Sequence, residues 1–96
     1  RFNASPKLCL GCINANIAEG NYNGIVVYTQ HEVKALRSSD LPYFIKRDYI
    51  HTVQLALKRV KELNQYENKT RYLKFINHLE ESLQMAEQSK LEVTYD

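Results

Sequence analysis

The chain has 96 residues, 44% hydrophobic and 25% charged, with a formal net charge of +2. That length supports one modest core, and the balance is that of an ordinary globular domain rather than a disordered or membrane segment. No apolar run approaches the roughly 18 residues of a membrane span. The charge is uneven: residues 34–74 hold ten Lys/Arg against four acids, a net of +6, while residues 75–96 hold one lysine against five acids, a net of −4. A dipolar molecule with a basic middle follows. The chain starts at Arg1 without methionine or a hydrophobic leader, as an excised domain or processed product would. Its two cysteines, Cys9 and Cys12, fall short of a disulfide framework, which predicts an intracellular and cytoplasmic setting.

In chain order, Ser5-Pro6 reads as a helix start, a hydroxyl cap followed by proline in the first turn. A first helix over about 7–19 buries Leu10, Ile13 and Ile17, with Cys9 and Cys12 beside them as small core thiols. Gly20 should end it as a C-cap tolerating positive φ. The run "GIVVYT" that follows looks strand-like, yet nothing else in the chain could pair with it, and a lone strand leaves its backbone groups unsatisfied. Val26, Thr29, Val33 and Leu36 instead hold helical spacing, so a second helix is predicted over 22–38.

Ser38-Ser39-Asp40 should cap a third helix over 42–63, whose core face carries Ile45, Tyr49, Val53, Ala56, Val60 and Leu63. Asn64 to Asn68 reads as a polar break. A fourth helix over 67–89 buries Tyr72, Phe75, Leu79, Leu83 and Ala86, with fraying from Lys90. The fold class is all-α, a four-helix bundle or two stacked antiparallel hairpins. Gly20-Asn21-Tyr22-Asn23 and Asn64-Gln65-Tyr66-Glu67 hint at a repeated hairpin corner.

The stretch "INANIAEGNYNGIVVYTQHEVKAL" resembles the first hairpin of katanin-like MIT domains, in which a helix ends at a Gly-(Asn/Ser)-Tyr corner with an aromatic about six residues further on. Gly20, Asn21, Tyr22 and Tyr28 match those elements, and the similarity extends over roughly residues 7–63. Tetratricopeptide repeats use a similar corner. Either resemblance implies a helical interaction module.

No P-loop, nucleophile elbow or H-E-x-x-H motif is present, and Cys9-x-x-Cys12 lacks two further ligands at metal spacing, so neither catalysis nor a cofactor is expected. The informative feature is basic. Arg47, His51, Gln54, Lys58 and Lys61 form one stripe on the third helix, and Arg71, Lys74 and His78 continue the pattern on the fourth. Such a surface suits an acidic or amphipathic protein segment lying in an interhelical groove, with apolar anchors and charged rim both supplied by the third helix. The alternative is an RNA- or DNA-binding helical domain of viral type, working as a homodimer, with tyrosines interleaved among the bases for stacking. The predicted partner-binding residues are Arg47, His51, Lys58, Lys61, Arg71 and Lys74.

Overall fold

A computed structural model describes the backbone of residues 10–94 and the side chains of residues 12–89. The fold is all-α: helices α1 (Leu10–Glu19), α2 (Tyr22–Arg37), α3 (Tyr43–Glu67) and α4 (Thr70–Thr94) follow one another through short connections. The α2, α3 and α4 helices pack on one another, whereas α1 lies against α3 and α2 and does not reach α4 among the described residues. The result is a flat body of 45 × 37 × 16 Å.

The strand-like run is helical from its first residue. Asn21 is extended, and its side-chain oxygen accepts from the Gly24 N–H at 2.8 Å, capping α2. Gly20 closes α1 differently from expectation, since no glycine among the described residues has positive φ. Glycine is needed there because a Cβ would stand 2.7 Å from the Asn16 carbonyl oxygen. The Ser5-Pro6 start and Cys9 lie outside the described residues.

The expected serine or aspartate cap of α3 is also not what forms. The Ser38 hydroxyl accepts from the Asp40 N–H at 3.1 Å, so it closes its own turn. Pro42 stands at the N-cap with no side chain to offer, and its carbonyl takes the first helical bonds, from the Ile45 and Lys46 N–H groups. At the far end α3 runs through Asn64 to Glu67, because exposed Gln and Glu continue a helix as readily as they leave it. Asn68 stops it, in the left-handed region at φ 50°. The α4 helix likewise passes the predicted end at residue 89, with no glycine or proline there to halt it.

Ile17, Ile25, Leu36, Val53, Val60 and Leu79 are fully buried at the centre of the core. Two expectations fail at its edge. Ile45 is exposed, while its neighbour Lys46 is only 1% exposed, with its ammonium donating to the Ser38 carbonyl at 2.6 Å and the Ser89 hydroxyl at 2.9 Å. The first turn of α3 packs beside the carboxyl end of α2, where free carbonyls favour a cation over an alkyl chain. Cys12 is exposed rather than a core thiol, since α1 docks through the narrow Ile13 and Ile17 edge. The suggested repeat dissolves too: Tyr22 packs against the core, whereas Tyr66 is 87% exposed.

Candidate functional site

The helices α2 and α4 are joined at two places. At one end Tyr22 stacks on Tyr72 with ring centroids 4.4 Å apart, and Phe75 meets the Tyr22 ring edge-on at 5.7 Å. The Arg71 guanidinium lies 5.2 Å from the centroid of one tyrosine ring and 5.6 Å from the other. The Tyr72 hydroxyl donates to Glu67 at 2.7 Å. That bond, with burial behind it, raises the phenol above the usual tyrosine range, and Arg71 offsets part of the rise. At the other end Arg37 donates to the Ser82 hydroxyl at 3.1 Å and to Glu81 at 2.9 Å.

Between these struts the two helices leave a groove of about 730 Å³. Val26 and Val33 from α2 and Phe75 from α4 make its floor apolar. Thr29 adds a side chain whose hydroxyl is already bonded to the Ile25 carbonyl at 2.8 Å. Lys34, Arg37 and His78 stand at its sides, with Asp40 as the sole acid in the lining. Lys74 lies one turn before His78 on α4, so it extends the cationic rim toward Arg71.

The six predicted binding residues are therefore divided between two faces. Arg47, His51, Lys58 and Lys61 are exposed on the outer ridge of α3, where Lys61 pairs with Glu80 of α4 at 3.5 Å. Glu80 follows His78 by two residues, about 200° around a helix, so the ridge and the Arg71–Lys74 side look in different directions. Beside Lys58 and Lys61 the ridge offers little apolar surface, because Val53, Ala56 and Val60 are wholly buried, whereas Phe44 and Ile45 are exposed near Arg47 at its amino end. The groove beside it, about 390 Å³ between α3 and α4, is lined by Ile50, Gln54, Leu83, Gln84, Glu87 and Gln88, with no cation. The third helix thus has its exposed apolar side chains at one end, and the groove it shares with α4 has no cation in its lining.

The tyrosines among the bases are also committed. Tyr72 is buried in its stack with Tyr22, and Tyr49 packs edge-on against His31 at 5.7 Å. Among the described residues no group of three or more His, Cys, Asp or Glu side chains comes together as metal ligands would. Among those residues, too, no helix is long and apolar enough to cross a membrane.

Val26, Lys34, Arg37, Phe75 and His78 were not predicted as one site. The available signal was the width of the α2 apolar arc, in which Val26 and Val33 flank Ile25, Thr29 and Leu36 and exceed what one packed neighbour covers. No family model, no curated protein and no solved structure matches the chain.

Proposed function

We propose that this domain is a non-catalytic interaction module that seats an acidic, amphipathic helix of a protein partner in the groove between α2 and α4. The observation that carries this is the pairing of an apolar floor, Val26, Val33 and Phe75, with a rim of Lys34, Arg37 and His78. From Val26 to Arg37 the groove runs on the order of 16 Å along α2, enough for about three turns of a partner helix with apolar side chains at i, i+3/i+4 and i+7. Acidic residues flanking that apolar edge would meet the rim, which steers association and disfavours basic partners. The resemblance of the Gly20 to Tyr22 corner to MIT and tetratricopeptide hairpins supports the same class of function.

The test compares two double charge reversals in binding to a synthetic helix with leucines at groove spacing and glutamates beside them. Lys34→Glu with Lys74→Glu, both on exposed side chains, should weaken binding at least tenfold at low salt, a loss of about 1.4 kcal/mol. Lys58→Glu with Lys61→Glu should leave it nearly unchanged. Loss confined to the second pair would move the site to the α3 ridge. A labelled nucleic-acid duplex serves as the competing ligand, and tight, steeply salt-dependent binding to it would overturn the proposal in favour of a nucleic-acid module.

A further inference from the structure

At the end of the groove, where α2 gives way to the loop before α3, a smaller cavity of about 120 Å³ opens between that loop and α4. It shares Arg37, Ser38 and Ser39 with the groove, so the two adjoin at that loop. Its other polar lining is Lys46, Gln88 and Ser89, and Leu36 and Met85 complete the wall. Every polar side chain in that wall can donate a hydrogen bond, and none is a carboxylate.

The charge balance around Lys46 is the telling feature. An ammonium has three hydrogens, and two are directed to the Ser38 carbonyl and the Ser89 hydroxyl. Among the described residues no acid pairs with it, although a buried cation ordinarily requires a counter-charge. Among the described residues Glu81 is engaged by Arg37, and Asp40 lines the larger groove and not this cavity. The Ser38 hydroxyl accepts from the Asp40 N–H and keeps its own hydrogen for another acceptor, whereas the Ser89 hydroxyl donates to the Met85 carbonyl at 3.4 Å. The volume corresponds to about four waters, which is room for a tetrahedral oxyanion.

The geometry points to a phosphoryl-binding pocket, in which Lys46 and Arg37 supply charge, Ser38, Ser39 and Gln88 supply further donors, and Ser89 holds the Lys46 ammonium in place. Resting on the groove reading above, it assigns the helix in the groove a phosphorylated serine or threonine at the end that reaches this loop. A phosphate there gains several charge-assisted hydrogen bonds at once. A hydroxyl in its place gains none of that charge.

The experiment titrates the isotope-labelled full chain with inorganic phosphate alone, and then with the synthetic groove helix carrying either serine or phosphoserine at its end. Inorganic phosphate should shift the Ser38, Ser39 and Ser89 amide resonances saturably, with a Kd on the order of millimolar. The phosphoserine helix should bind about tenfold more tightly than the serine helix. Lys46→Met should abolish both effects, and if that variant does not fold, Gln88→Glu, which sets a carboxylate at the exposed edge of the pocket, should abolish them in a folded protein. Phosphate shifts without any gain for the phosphoserine helix would assign the pocket to free phosphate. Phosphate shifts with no binding of either helix would sink the groove reading and leave the pocket standing. No phosphate shift and no preference for phosphoserine would overturn the pocket, whether or not the serine helix binds.

Discussion

Glu32 is 4% exposed on α2, and its Oε1 atom is buried without a hydrogen-bond partner. An unsatisfied buried polar group costs about 1–3 kcal/mol, and a charged one costs more. Glu32→Met keeps the volume and removes that penalty, so it should raise stability by about 1 kcal/mol or more, read as a higher midpoint in urea. A lower midpoint would mean that the carboxylate has a role its surroundings do not reveal. Tyr72 predicts a pH dependence. Its phenol is raised by the bond to Glu67 and by burial, so below the unfolded value of about 10 both states are neutral and its contribution is complete. As the pH climbs from there toward the raised folded value, the unfolded chain ionises first and stability falls. Urea melts at about pH 9 and about pH 11 should therefore show a smaller alkaline loss for Tyr72→Phe than for the wild type. Neither residue stood out in the sequence: the helical spacing that marks Tyr72 as core says nothing of its hydroxyl, and Glu32 reads as one more surface acid. The exchange of Ile45 for Lys46 in the core has the same origin, since a backbone carbonyl waiting at the end of another helix leaves no trace in local periodicity.

For the elements, connection chemistry decides the ends. Asn68 accepts φ 50°, its N–H bonds to the Asn64 carbonyl at 2.9 Å, and the Asn64 side chain receives the Lys69 N–H at 2.9 Å. A left-handed backbone costs about 1–2 kcal/mol for most residues and suits Asn or Gly best. Asn68→Gly should leave thermal stability level or slightly higher, while Asn68→Val, β-branched and forced into that region, should lower it by about 1 kcal/mol or more. Equal melting of the two variants would place the end of α3 under the control of something other than this residue. The four helices themselves were legible from apolar spacing, the strand-like start of α2 included. Their ends were less so. A polar run such as Asn64 to Glu67 looks like a break, but it is helix because the stop signal is one backbone conformation at Asn68 rather than the composition before it.

Across the whole molecule, function depends on which helices become neighbours. Grooves lie on both sides of α4: one, shared with α2, has an apolar floor and cations, and the other, shared with α3, sets Ile50 and Leu83 among glutamines and a glutamate, with no cation. The basic stripes were visible in the sequence, yet their division between two faces was not, because it follows from the packing of α4 against both α2 and α3. Phe75 and His78 meet Val26 and Val33 only after more than 40 residues of intervening chain. The measurement that tests the central claim most directly is amide and methyl chemical-shift mapping of the full chain with the acidic amphipathic helix. Shifts should concentrate on Val26, Val33, Lys34, Phe75 and His78. Shifts centred on Arg47, His51, Lys58 and Lys61, with the α2–α4 groove silent, would contradict it.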